Sequence, residues 1–395
     1  MIQSYLKKFF KPKVHKSHNL IDLAYNYEGF ADRAIGVEAY HKNVIVYRCV
    51  NLIAQSAGHV PLVVNKDHRN TRASKDHPVY RLLHRPNPEK AGADFFSEVI
   101  ASKLLYGNAY ILSAAPNDSP PYEIYLLPAA AIEVVTNQNV AVSYKYNTST
   151  HTKTYIIDQI SRRSKILHLK NYHPTNKYYG LSCLSAASAH IELHQHATSW
   201  NNSLLKNGAR PSGALIMKDG SGYLTDEQFA RLQEQLYEKF TNSRNAGKPL
   251  LLEGGLDWRE ISISPKDMDF IELKNSAARE IALAFGVPPQ LLGISGDNTY
   301  SNMQEARLAL WEETLIPLLD KLADALGNWF SHWYQDEIII DFDRDSISAL
   351  TEKRENLWAK IASADFMTIN EKRSFFGLES IEGGDQLLMR ELLRD

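Results

Sequence analysis

One amphipathic run constrains this chain more than any other feature. Leu308, Trp311, Leu315, Leu318, Leu322, Leu326 and Trp329 recur at steps of three or four, the spacing that lines apolar side chains along one helical face. Pro317 falls inside the run. Its ring collides with the preceding turn and it lacks a backbone donor, so the helix is expected to kink there. Ser301 and Gln304 stand at capping-box spacing near its start. A long helix with a built-in bend is an architectural device more than a catalytic one.

The elements around it alternate in type. Helices are predicted over 43–57, ending at Gly58, and over 95–106, with Asp94 as N-cap and Gly107 as terminator. Between them, Pro78, Pro86 and Pro88 mark turns. From 109 to 170 the pattern shifts to period two and short apolar runs, an antiparallel β region. Helical spacing returns over 182–207. A compact αβ segment follows, with a strand at Leu215–Met217, a helix over 225–240 capped by Thr225 and Gln228, and strands at 250–252 and 258–263. Ser264-Pro265 opens a helix that ends near Gly286. Pro288, Pro289, Gly293 and Gly296 make 287–302 a loop. A strand at 337–342 and helices over 351–362 and 368–376 complete the chain, the last with Thr368 and Glu371 as capping box and Gly377 as terminator.

Composition bounds the function. The 395 residues are 44% hydrophobic and 23% charged, and the formal net charge is -2. The chain is a folded protein of two or three packed regions, without the overall basic excess of a protein built to grip nucleic acid. Cys49 and Cys183 are the only cysteines; they read as small buried hydrophobes in a reducing compartment. No stretch reaches the roughly 18 to 20 apolar residues of a membrane span. The lysines around Phe9 and Phe10 read as a flexible basic tail or an arm that docks on a neighbour.

Catalytic patterns fail one by one. Gly247-Lys248 precedes a proline and has no glycine five residues earlier, so it cannot cradle phosphate. Gly180-Leu181-Ser182-Cys183-Leu184 lacks the second glycine of a nucleophile elbow. His190 and His194 lie four apart without a His-Glu-x-x-His pattern and read as ordinary polar positions. Asp341, Asp343, Asp345 and Glu352 fit four positions of a calcium-loop template, but Ser346 stands where glycine is required. A solvated strand end is the better reading. No enzymatic activity, cofactor or metal is expected.

Several strings resemble the portal proteins of tailed phages, in the lambdoid HK-type branch. They are Tyr47-Arg48-Cys49-Val50-Asn51-Leu52-Ile53-Ala54 with Val60-Pro61-Leu62, then His77-Pro78 with Pro86-Asn87-Pro88. Tyr106-Gly107-Asn108-Ala109-Tyr110-Ile111 follows, then Gly286-Val287-Pro288-Pro289 with Leu291-Leu292-Gly293. The last is Thr368-Ile369-Asn370-Glu371 with Gly383-Gly384-Asp385. The resemblance runs in order from about 40 to 390 and extends to the short portals of gene transfer agents. It implies an α+β portal fold: an N-terminal arm (1–40), a β-rich wing (41–178), a stem helix (179–208), an αβ clip (209–263), a second stem helix (264–286), a tunnel loop (287–302), the long kinked helix (303–331), a wing return strand (332–350) and a helical crown (351–395). It further implies a ring of twelve copies at a capsid vertex of the virion, assembled in the host bacterial cytoplasm. That ring would conduct double-stranded DNA without sequence preference and meet the terminase large subunit, a head–tail adaptor and the major capsid protein. On that reading Ser295, Asp297, Asn298, Thr299, Tyr300 and Asn302 touch DNA, Pro288, Pro289, Gly293 and Gly296 act as loop hinges, and Lys274 and Arg279 face the channel or pair across subunits. The alternatives are a head–tail adaptor or minor capsid protein, or a packaging nuclease or ATPase.

Overall fold

The computed structural model describes residues 38–65, 77–116, 119–206, 213–217, 225–240, 256–260, 270–294, 300–334, 336–376 and 378–387. Helix α1 (Val44–Gly58) begins where Asn43 Oδ1 accepts the N–H groups of Ile45 and Val46, at 3.0 and 3.3 Å. Its inner face is Val46, Cys49, Val50, Ile53, Ala54 and Ala57, and burial pushes the Cys49 thiol up to about 12. Strand β1 (Leu62–Asn65) follows. The proline-rich stretch expected to be turns contains a helix instead, α2 (Pro78–His84). Pro78 takes its first position, where a missing N–H costs nothing, and His77 caps it. Helix α3 (Gly92–Tyr106) starts earlier than expected, with Ala91 rather than Asp94 at the N-cap. Asp94 sits in the first turn, where its charge favours the helix dipole.

Six antiparallel strands form the β region: β2 (Asn108–Ala114), β3 (Glu123–Leu127), β4 (Ile132–Asn137), β5 (Val140–Asn147), β6 (Thr152–Ile156) and β7 (Ile166–Lys170). They make two three-stranded sheets, ordered β3-β2-β7 and β4-β5-β6. Gln138 and Asn139 both have positive φ, 45° and 63°, the geometry of the two-residue turn that closes β4 onto β5. Tyr110, Leu127, Ile132, Tyr144, Tyr155 and Ile166 pack between the sheets as a separate small core.

Helix α4 (Cys183–Lys206) leaves this region. The αβ segment has β8 (Gly213–Met217) antiparallel to β9 (Leu256–Glu260), with α5 (Asp226–Phe240) between them in sequence. The capping box at Thr225 is present: Gln228 N–H donates to Thr225 Oγ1 and Thr225 N–H to Gln228 Oε1. The strand expected at 250–252 and the helix start at Ser264-Pro265 lie outside the described residues, as does Gly377. Helix α6 is Phe270–Ala284.

The long helix comes as α7 (Tyr300–Ala309), a π-helical turn (Leu310–Leu315) and α8 (Ile316–Tyr334). The π turn is how the chain accommodates Pro317. Ile316 N–H reaches back five residues to the Trp311 carbonyl, so the ladder changes register just before the residue that cannot donate. Ser301 lies within the first turn of α7 rather than capping it. Strand β10 (Ile339–Phe342) returns to pair antiparallel with β1, Leu62 opposite Phe342. Residues of α1, α3, α8 and β10 share the main core with the near ends of α4 and α6, around Ile53, Phe95, Leu184, Ile281 and Leu326. Trp329 ties the long helix to the β region, its Nε1–H donating to the Ser164 carbonyl at 2.9 Å. Helices α9 (Thr351–Ala362) and α10 (Ile369–Phe375) end the described chain, and α10 carries the expected capping box.

Candidate functional site

The elements that the resemblance leads one to expect at a channel are α4, α6 and the connection to α7. Helices α4 and α6 pack along each other. The inner stripe of α4 is Leu184, Ala187, Ile191, His194 and Ala197, all buried. His194 is thus a core residue rather than a surface polar one. Its Nδ1 lies 3.4 Å from Asn43 Nδ2, and burial first, then the Lys274 charge, lowers its pKa.

The outer side of α4 repeats the pattern. Ala186, Ala189, Leu193, His196 and Trp200 step by three and four and are all exposed, with Leu193 at 38% and Trp200 at 37%. Two apolar stripes on one helix mean two packing partners, and α6 supplies one.

On α6, Lys274 and Arg279 are half-buried, whereas Glu272, Ser276, Glu280 and Leu283 are exposed. Arg279 Nη1 lies 3.5 Å from Glu272 Oε1 of the same helix. Glu272 and Glu280 are the carboxylates on the exposed face of α6.

After α6 the chain is held against the π turn. Gly286 has φ 67°, and the Thr314 hydroxyl in the π turn donates to its carbonyl at 2.7 Å. Val287 is buried, Pro288 is extended, and Pro289–Leu292 forms a 3₁₀ turn ending at Gly293 with φ 75°. Both expected hinge prolines and Gly293 occupy this ordered stretch. Ser295, Gly296, Asp297, Asn298 and Thr299 lie outside the described residues. Tyr300 and Asn302, expected in the loop, belong to the first turn of α7: the loop is shorter than its glycines and prolines suggested.

The junction between β region and α4 is built around Asn108. Its Oδ1 accepts the Gly180 N–H at 2.8 Å and His168 Nε2–H at 2.9 Å. Its Nδ2 donates to the carbonyls of Tyr106 and Gly180, at 2.7 and 3.2 Å. Gly107 has φ 69°, and a Cβ there would stand 2.4 Å from the Gly180 carbonyl oxygen; only glycine fits. Ser182 Oγ–H donates to the Leu105 carbonyl at the end of α3 while accepting the Leu184 N–H. One hydroxyl thereby joins two helix ends.

The acidic residues near β10 serve the backbone. Asp341 accepts the Phe342 N–H, Asp343 accepts the Asp345 N–H, and Asp345 pairs with Arg354 at 2.8 Å. Among the described residues no group of three His, Cys, Asp or Glu is placed to hold a metal ion, and no helix is long and apolar enough to cross a membrane.

A profile of the phage portal protein family matches residues 44–377. The chain belongs to that family. A protein of Rickettsia bellii is 68% identical over 388 residues, 98% of this chain and 100% of its own length. The portal protein of Enterobacteria phage HK97 is 25% identical over 376 residues, 92% of this chain and 84% of its own. Among solved structures, a chain in the neck of a native gene transfer agent particle, computed with C12 symmetry, is 38% identical with a TM-score of 0.66, over 93% of this chain and 96% of that one. Portal family strings that looked like mere signatures are the clamps just described: Tyr106 to Tyr110 builds the Asn108 junction, and Gly286 to Gly293 the anchored entry to the loop.

Proposed function

We propose that this chain is the portal subunit of a virion-like particle, of a phage or a gene transfer agent. Copies assemble into a ring, with α4 and α6 walling a channel for double-stranded DNA. The observation that carries the reading is the second apolar stripe of α4. Ala186, Ala189 and Leu193 are exposed in a single chain, and a neighbouring copy around a rotation axis would cover them on every subunit alike. The C12 symmetry of the related neck structure supports twelve copies. The exposed face of α6, with Glu272 and Glu280, suits a bore through which DNA slides, because carboxylates do not hold phosphates. The segment 295–299 enters that bore and touches the DNA backbone transiently. The αβ segment meets the terminase large subunit and later the head–tail adaptor, and the ring meets the major capsid protein. The subunit makes no covalent chemistry of its own.

Negative-stain images of the purified chain test this: a ring with a central hole of at least about 20 Å, wide enough for a B-form duplex, is expected. A stably monomeric chain under all assembly conditions, or one that hydrolyses ATP by itself, overturns it. Removing 295–299 should leave rings intact and impair DNA packaging or retention.

A further inference from the structure

The near-neutral net charge conceals a segregation. Between Val134 and Ile191 the chain carries seven lysines and arginines and one acidic residue, Asp158. Some of these charges are engaged within the fold. Lys145 lies opposite Glu133 across the β4–β5 pair, and the Arg163 guanidinium stacks 5.3 Å from the Trp333 ring centre. Lys153, Arg162, Lys170 and Lys177 are exposed, and their contacts are with neutral partners: Lys153 with the Tyr155 ring, Lys177 with the Tyr178 ring and Arg162 with Gln159.

Two ordered loops present them. In the connection from β6 to β7, Asp158 accepts the N–H of Ile160 at 2.8 Å and the hydroxyl of Ser161 at 2.7 Å. The one carboxylate of the segment is thus spent on shaping the turn that projects Arg162. In the connection from β7 to α4, His173 Nδ1 accepts the N–H groups of Thr175 and Asn176, and Asn176 Oδ1 those of Tyr178 and Tyr179. The Lys170 ammonium donates to the Lys177 carbonyl, the Lys177 ammonium lies 5.3 Å from the Tyr178 ring centre, and Tyr172 in the same connection is 85% exposed. Lysine and arginine beside tyrosine, threonine and asparagine is the donor mixture that contacts phosphodiester backbones without reading sequence.

We infer that this β-rich surface, outside the stem and the 287–302 connection, is a second, sequence-blind binding surface for double-stranded DNA. It is the strong electrostatic contact that the α6 face does not offer. The choice of a duplex among polyanions rests on the portal reading; the location rests on the charge and loop geometry alone.

The experiment uses the full chain and a fluorescent 25-base-pair duplex of arbitrary sequence, with anisotropy followed through a sodium chloride titration. Binding should weaken steeply with salt, and each phosphate contact contributes about 0.9 to the log–log slope. The combined variant Lys153→Gln, Arg162→Gln, Lys177→Gln keeps Lys170, which holds its loop. It should bind at least about tenfold more weakly near 100 mM salt, with a slope lower by about 2 to 3. Unchanged affinity and slope overturn the inference. Polyglutamate that displaces the duplex at equal charge overturns it in favour of an acidic protein partner. Ring formation by the same variant is imaged in parallel: rings without the binding loss refute this surface alone, whereas absence of rings in the unaltered chain refutes the portal reading.

Discussion

Asn108 and Gly180, 72 residues apart, are joined by two hydrogen bonds, the Asn108 amide accepting from the Gly180 N–H at 2.8 Å and donating to its carbonyl at 3.2 Å. Asn108 is buried, and both ends of its amide are fully used. Asn108→Ala strands a buried N–H and several carbonyls at once, so it should cost about 3 kcal/mol. A lower urea midpoint for unfolding checks this. Asn108→Asp keeps the acceptors and loses the donors, and should fall between the two.

His168 shares that junction, stacked on Tyr110 with ring centres 4.3 Å apart. Burial, assisted by the Lys170 charge, lowers its pKa from 6.5 to about 3. The folded state thus disfavours the proton that the unfolded chain accepts. The associated stability is complete above about pH 6.5 and is lost as pH falls from there toward 3, by about 2 kcal/mol at pH 5. Urea midpoints between pH 7 and 5 should decline in the native chain. His168→Gln, which retains a donor for Asn108, should flatten that part of the profile.

Element type was legible wherever one periodicity dominated. The long helix, α4 and the β region stand where their spacing put them, because each buries one regular face. What escaped was set by partners distant in sequence. Proline punctuation around Pro78 pointed to turns, yet proline at the first helical position is neutral, and α2 forms because Val79, Leu82 and Leu83 are buried in the main core. The π turn at 310–315 has no local signature beyond Pro317. The charge imbalance of 134–191 was averaged away in a whole-chain sum. The orientation of Lys274 and Arg279 was not legible, because helical spacing does not reveal which side of α6 is covered by α4.

The C-terminal string around Asn370 makes a third clamp. Asn370 is buried. Its Nδ2 donates to the Ile381 carbonyl and to Asp385 Oδ1, at 3.0 and 2.9 Å, and its Oδ1 accepts the Ile381 N–H at 2.8 Å. Its backbone N–H donates to the Gly384 carbonyl. Asn370→Ala should release 378–387 while α10 keeps its Thr368 cap. Limited proteolysis reads this directly: new cleavage after residue 376 is expected, with the fragment ending there otherwise stable. Thr368→Ala, by contrast, should cost about 1 kcal/mol without opening that site.

Leu193 separates folding from assembly. It lies on the outer stripe of α4, away from the buried stripe that carries Ile191 and His194. A charge at this position meets water in the single chain and costs little there, since exposed substitutions stay within about 0.5 kcal/mol. Against a neighbouring copy the same charge would be buried without a partner, at several kcal/mol per subunit. Leu193→Glu should therefore leave the circular dichroism spectrum and melting of the unassembled chain unchanged. Light scattering should show rings replaced by monomers and short arcs. Ile191→Glu, facing α6, should instead unfold the stem, so the pair of phenotypes distinguishes a lost interface from a lost fold. Rings of normal stability from the Leu193→Glu variant would place the subunit interface elsewhere on the chain.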